Sequence, residues 1–441
     1  MTRTLDAFFH VRESGSTPRR EALAGLTTFL AMSYIVVVNP AVLAQAGLDF
    51  GAVFTATCLS AAIATFIMGI GANYPIALAP GMGQNFFFLT VVTGMNIPWR
   101  TALGAVFLSG VFFVALTVTR ARGRLIEAIP ESLKAGIAVG IGLFIALIGM
   151  VNAGIVVRSP QGSFHLGSIT TAPPLLAFTG LAVTAALTAR HVRGALLWGM
   201  AVSTLAALAA GLVHPAGVVG WPPSLAPTFL MMDPAAALRW SMAPVVLVFL
   251  YMALFDAIGT LVAVGGQAGL MKNGRLVRGE RALMADASGT LVGSALGTST
   301  VTAYVESATG VETGGRTGLA NMVTGALFLA ALFLAPLVRM VGGGIVVEGS
   351  APLHPITAPA LIFVGALMVR ALGRVSWDDT TETLPAFLVL AGIPFTFSIA
   401  DGLALGFISY PVFKVLAGRW REVPWLVFAL ALLFVARYLL F

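Results

Sequence analysis

Charge is scarce in this chain. Of its 441 residues only 10% are Asp, Glu, Lys or Arg, against 58% hydrophobic, and the mean hydropathy is +0.95. A soluble domain of this length needs a charged exterior, and too few charges are present to make one. The composition excludes a soluble globular protein and implies an all-α polytopic membrane protein. Cysteine is also nearly absent. The single Cys58 lies in an apolar run, so an intrachain disulfide or a cysteine-based metal site is excluded and a buried, inert thiol is the reading. No Gly-x-x-x-x-Gly-Lys-Ser/Thr run is present, so nothing points to ATP-driven transport. The histidines (His10, His165, His191, His214 and His354) fall in loops or helix ends, and no nucleophile–base pair or metal-ligand spacing suggests an intramembrane enzyme or a metal site. The segment through Arg20 is polar and lacks a signal-peptide hydrophobic region, so the first transmembrane helix is expected to direct insertion.

The charge that is present has a pattern. The net +7 comes in short basic clusters between apolar runs: Arg19 and Arg20; Arg120, Arg122 and Arg124; Lys272, Arg275, Arg278 and Arg281. That is the positive-inside bias of cytoplasmic loops rather than a nucleic-acid surface, so no nucleic acid is expected as a partner.

Apolar runs long enough to cross a bilayer occur at about 25–45, 51–71, 76–95, 98–119, 132–154, 173–190 and 193–214. A more polar connection, 215–241, follows. The runs resume at about 243–265, 281–297, 301–314, 317–340, 354–373, 384–399 and 402–418. The expectation is fourteen spans in two sets of seven. With residues 1–20 cytoplasmic, the loops at 120–131, 190–193, 266–281 and 370–383 return to the same side, as do Lys414, Arg419 and Arg421, while the opposite loops carry little more than Arg158 and Arg239. The apolar stretch 423–440 is open between a fifteenth span and an interfacial helix.

Two segments break the helical pattern. The third begins Ala79-Pro80-Gly81-Met82-Gly83-Gln84-Asn85 before Phe86, Phe87 and Phe88. The tenth begins Gly297-Thr298-Ser299-Thr300-Val301-Thr302-Ala303-Tyr304-Val305-Glu306. Pro and Gly disfavour helix in the first, and the Thr/Val/Tyr run favours extended chain in the second. Irregular backbone at membrane depth must be satisfied by protein or a wet cavity, and breaks at matching positions of two halves point to the binding site of an inverted-repeat transporter. Two helix starts facing each other there would make a polar slot for a planar ligand. Ordinary Gly/Pro kinks are the alternative.

Ionisable groups inside membrane helices cost about 2.5–3.5 kcal/mol on insertion scales and are functional candidates. Asp256 lies mid-segment with Thr260 one turn on, Glu306 at the tenth break, and Asn85 at the third with Gln84 beside it. Asp286 is either functional or a hydrogen-bond partner of a neighbouring broken helix. Asp401, before Gly402, reads as a helix N-cap. Of the Phe86–Phe88 run, one ring at most is expected to reach a ligand.

Several stretches resemble one family. They are Gly25-Leu26-Thr27-Thr28-Phe29-Leu30-Ala31-Met32-Ser33-Tyr34-Ile35 with Val38-Asn39-Pro40, Ala72 through Asn85, Phe255-Asp256-Ala257-Ile258-Gly259-Thr260, Gly297 through Thr300, Glu306-Ser307 with Gly314-Gly315-Arg316-Thr317-Gly318, and Ser398-Ile399-Ala400-Asp401-Gly402. In combination and order they resemble the AzgA-like adenine–guanine–hypoxanthine permeases of the nucleobase–cation symporter superfamily.

The resemblance implies fourteen helices as two inverted repeats of seven, with short extended stretches in the third and tenth. It implies a cytoplasmic segment (1–23), a core domain (24–130 and 242–340), a gate domain (131–241 and 341–418) and a C-terminal apolar segment (419–441). It further implies a purine nucleobase held by Ala31, Gln84, Asn85, Asp256, Val305 and Glu306, no cofactor but H⁺ as coupling ion through Asp256 and Glu306, and an inner-membrane location. An uncoupled facilitator or a carrier of another nucleobase or anion is the alternative. A homodimer is left open. One departure is visible: similar permeases carry Asp-x-x-Asp here, whereas this chain reads Ala253-Leu254-Phe255-Asp256, so a carboxylate expected on the same helical face is missing.

Overall fold

A computed structural model describes residues 8–119, 130–159, 164–272, 275–345 and 352–440. The Arg120/Arg122/Arg124 cluster lies outside them, as does the side chain of Arg158. The chain is mainly helical, in the order α1 Pro18–Met32, α2 Ile35–Gln45, α3 Phe50–Ile67, β1 Leu78–Pro80, α4 Met82–Thr93, α5 Trp99–Val118 and α6 Glu131–Asn152. Then come β2 Val156–Arg158, β3 Phe164–Leu166, α7 Ala172–Ala189, α8 Ala195–Ala209, α9 Pro234–Ala237 and α10 Ala243–Gln267. After β4 Met271–Lys272 and β5 Arg275–Leu276 follow α11 Gly279–Leu296, β6 Val301–Ala303, α12 Ser307–Glu312, α13 Gly318–Ala331 and α14 Ala335–Gly342. The chain finishes with α15 Ala358–Met368, α16 Thr380–Thr396, α17 Ile399–Leu416 and α18 Trp425–Leu440.

Among the described residues eight helices, some joining two of these elements, are long and apolar enough to cross a membrane. The other expected spans are short or charged; α11, for example, carries Glu280, Arg281 and Asp286. The first run is broken at Ser33–Tyr34 rather than continuous, and the second ends in a π-turn at Met68–Ala72. The stretch 423–440 forms α18, which packs along α17.

Capping sets several boundaries. Asp49 accepts from Ala52 N at 2.7 Å to start α3, and Asp379 accepts from Thr381 N at 2.9 Å to start α16. Ser398, and not Asp401, caps α17, accepting from Asp401 N at 3.2 Å. Asp401 sits in the first turn instead, where its charge suits the positive end of the helix, and accepts from Tyr438 Oη at 2.5 Å.

Packing divides the helices. α13 packs on α1 and α3, α11 on α3 and α5, and α10 on α5; separately α15 and α16 pack on α6, α16 on α17, and α7 on both α8 and α15. Between these groups contacts are sparse, as of α4 with α6 or α1 with α8.

β1 and β6 bring the two broken segments together. They pair antiparallel with Leu78 opposite Ala303, Ala79 opposite Thr302 and Pro80 opposite Val301. A two-stranded ribbon among membrane helices leaves its edges unpaired, and every such group needs a partner. Side chains supply them. Thr65 Oγ1 accepts from Leu78 N (3.0 Å) and donates to Leu78 O (3.1 Å). Ser307 Oγ accepts from Ala77 N (3.0 Å), Asn321 Nδ2 donates to Ile76 O (2.7 Å), and Thr290 Oγ1 donates to Val301 O (3.0 Å). The polar residues of α3, α11 and α13 are therefore the ribbon's scaffold.

Candidate functional site

The ribbon places the two sets of candidates side by side. After Pro80 the chain turns at Gly81, whose N–H donates to Thr300 O at 2.9 Å, and α4 begins with Gln84 and Asn85 in its first turn. After Ala303 it passes through Tyr304, Val305 and Glu306 into α12. Tyr304 Oη donates to Pro80 O at 2.5 Å, locking one break to the other.

The polar slot expected from two helix starts is only half present. The N–H groups of Ser307 and Ala308 at the start of α12 are taken by Tyr304 O (3.1 Å) and Val305 O (3.0 Å), as i→i−3 turns. The start of α4 has no side-chain cap, so it supplies the open donors.

Three side-chain pairs define the chemistry. Gln84 Nε2 donates to Asp256 Oδ2 at 2.7 Å, joining α4 to α10. Tyr34, at the break between α1 and α2, donates its hydroxyl to Glu306 Oε1 at 2.8 Å. Ser299 donates to Asn85 Oδ1. Each pairs a candidate with a neutral partner, and among the described residues no ion pair to Asp256 or Glu306 occurs. Among the described residues the buried amide atoms Gln84 Oε1 and Asn85 Nδ2 have no hydrogen-bond partner, and neither do Thr300 Oγ1 at the tenth break and Oδ2 of its brace Asp286.

Asp256 is exposed, on a cavity enclosed mainly by α6, α10, α17 and α18. Gly83, Lys134, Tyr251 and Phe255 line it too; Tyr251 and Phe255 stack at 6.1 Å between ring centroids, and Lys134 Nζ sits 5.5 Å from the Phe255 ring centre. Glu306 and Tyr34 lie outside this lining.

The remaining candidates are dispersed. Val305 is 56% exposed, and Ala31 and Thr260 are half-buried. Ala253 is buried in the apolar cluster that holds Leu78, Val301 and Leu254, so it takes the packed side of α10 while Asp256 takes the cavity side. Asp286 is fully buried; its Oδ1 accepts from Ala303 N (2.7 Å) and Thr302 Oγ1 (3.2 Å), bracing β6 from behind. Phe86, Phe87 and Phe88 are all fully buried, Phe87 edge-on to Phe249. No cluster of metal-ligating side chains occurs among the described residues.

Sequence reasoning missed Tyr34, Ser299, Lys134, Tyr251 and Phe255. Tyr34 and Ser299 stand within stretches that carried the family resemblance, so their polarity inside apolar runs was the available signal. Lys134, a charge one turn into an otherwise apolar segment, was a second.

Comparison with known proteins agrees with this architecture. The Permease family model (Xan_ur_permease) matches residues 19–405. A putative permease of Methanocaldococcus jannaschii is 49% identical over 437 residues, covering 98% of each chain. The adenine permease AdeP of Escherichia coli strain K12 is 44% identical over 435 residues, 98% of this chain and 95% of that one. The guanine/hypoxanthine permease PbuG of Bacillus subtilis is 44% identical over 448 residues, 99% of each. Among solved structures, the transmembrane domain of a cyanobacterium bicarbonate transporter, BicA, superposes with a TM-score of 0.65 at 15% identity, over 87% of this chain and 96% of that one, a likeness of fold alone. Its apolar helices and these matches make the chain a multi-pass membrane protein that belongs to the permease family, among the nucleobase permeases.

Proposed function

We propose that the protein is a secondary transporter importing purine nucleobases such as adenine, guanine or hypoxanthine by proton symport. The observation that carries this reading is a pair of carboxylates tied to the chain breaks, Glu306 at the tenth and held by Tyr34, Asp256 on α10 and held by Gln84 beside the third, each facing a neutral donor. A purine offers N–H donors for such carboxylates and ring acceptors for Asn85 Nδ2 and the N–H groups of α4. Relatives named as adenine and guanine/hypoxanthine permeases, each spanned almost end to end, support the substrate class.

In this reading fourteen segments form two inverted repeats of seven, with β1 and β6 as their equivalent breaks. Residues 24–130 and 242–340 are the core that holds substrate, and 131–241 with 341–418 are the gate. The sparse contacts between the two packing groups support a movement of one against the other. Ala31 and Val305 flank the base, and Asp256 and Glu306 exchange the coupling proton, since an unpaired carboxylate in a low-dielectric site can be loaded from one side and emptied to the other. The chain lies in the inner membrane with its N-terminus cytoplasmic. An anion carrier fits poorly, because Glu306 and Asp256 would repel an anion.

The test is uptake of labelled hypoxanthine by cells lacking other permeases, against a panel of unlabelled nucleobases. Competition by purines and not by pyrimidines or bicarbonate supports the reading; no uptake of any purine overturns it.

A further inference from the structure

Asp256 and Gln84 form more than a hydrogen bond. An amide NH₂ can only donate, so Asp256 Oδ2, at 2.7 Å from Gln84 Nε2, must stay an acceptor whether the carboxyl is ionised or neutral. Gln84 is fully buried, and its Oε1 lies against Gly81, where any Cβ would collide with it. Asp256 is otherwise exposed to the cavity.

Resting on the purine-transport reading above, we infer that Gln84 confines the proton of Asp256 to Oδ1, so that protonation turns Asp256 from an acceptor into a donor toward ring position N1 of the bound purine. Ionised, Oδ1 accepts from an N1–H, as hypoxanthine and guanine carry. Protonated, Oδ1–H donates to a bare N1, as adenine carries. The proton then sets which purine the site prefers, and Gln84 is the positioning residue.

The charged and titratable groups around Asp256 are Lys134 on α6, Asp286 on α11, Tyr251 on α10 itself, and Tyr304 on the segment entering α12. α17 and α18 contribute apolar side chains such as Phe407 and Phe434. Among the described residues Gln84 is the one hydrogen-bond partner of the Asp256 carboxyl, so Gln84 decides which oxygen takes the proton.

The experiment is equilibrium binding of adenine and of hypoxanthine to purified full-length protein from about pH 8 to about pH 5. In the unaltered protein the affinity ratio of adenine to hypoxanthine rises roughly tenfold toward acid, the equivalent of one hydrogen bond exchanged. In Asp256→Asn, which cannot titrate, the ratio is flat. In Gln84→Met, which fills the same space and donates nothing, affinity for both bases falls and the swing in their ratio shrinks. A flat ratio in the unaltered protein, or an undiminished swing in either variant, overturns the inference. Should Gln84→Met fail to fold, Gln84→Leu, which also donates nothing, takes its place, since Asp256→Asn tests the titration and only a Gln84 variant tests the positioning. If neither base binds the unaltered protein at any pH, the transport reading falls and this inference with it, whereas binding without a swing overturns only this inference.

Discussion

Tyr34 and Glu306, 272 residues apart in the chain, meet through a 2.8 Å hydrogen bond that ties the break in the first apolar run to the break in the tenth. The bond orients the Glu306 carboxylate and costs nothing in charge. Tyr34→Phe removes only the hydroxyl. A hydrogen bond to a charged group contributes about 1.5–3 kcal/mol, so purine uptake should fall about ten- to a hundredfold while the protein reaches the membrane. Labelled-hypoxanthine uptake, normalised to membrane protein, measures it; uptake within twofold of the unaltered protein removes this bond from the account.

Asp286 is placed as a brace. Replacing it by alanine leaves the buried Ala303 N–H without a partner, at a cost of about 1–3 kcal/mol. Asp286→Asn keeps an acceptor and should be milder. Thermal melting in detergent should rank unaltered, Asn, then Ala. Equal melting of the alanine variant and loss of transport alone would make Asp286 functional rather than structural.

Close helix crossing depends on glycine at a few points. Gly318 at the start of α13 lies against the carbonyl of Gly69 in the π-turn, and a Cβ there would collide with that backbone oxygen. Gly318→Ala should reduce the yield of folded protein, measured by monodispersity in detergent, whereas alanine at Gly71, where a Cβ meets open space, should not.

The breaks at 79–85 and 297–306 could be read from the sequence because Pro, Gly and β-branched residues speak locally against helix. Asn85, Asp256 and Glu306 could be read because polar groups in apolar runs are rare. What joins them could not. The pairing of β1 with β6, the bonds from Tyr34 to Glu306 and Ser299 to Asn85, and the reach of Lys134 into the Asp256 cavity all depend on how distant segments pack. The break at Ser33–Tyr34 falls inside a run expected to be continuous, whereas the cap Ser398 lies three residues from the expected Asp401, where neighbouring polar residues compete for the same role.

Lys414, 1% exposed, lies among Glu382 (2.9 Å), Glu422 (3.0 Å) and Asp379 (3.7 Å), and Arg419 reaches Asp379 and Glu422 at 2.7 Å each. Bonds from the Thr381 hydroxyl and Arg419 hold Asp379 well below the usual carboxylate range, and Arg419 with Lys414 holds Glu422 down at about 2. Folded-state values that are depressed stabilise the fold above the ordinary carboxylate range, and that contribution is lost as pH falls from about 4 toward 2. Between about pH 5 and pH 8 these two carboxylates stay ionised. Lys414→Met should therefore lower the melting temperature without changing the pH profile of uptake in that range. A displaced profile would give this cluster a part in proton coupling.

The most direct test of the account is accumulation of labelled purine by proteoliposomes under an imposed inward proton gradient. The account predicts uphill accumulation that collapses when a protonophore is added, and its loss in Glu306→Gln protein of unchanged melting temperature. Purine equilibration that ignores the gradient, or undiminished accumulation in Glu306→Gln, would contradict it.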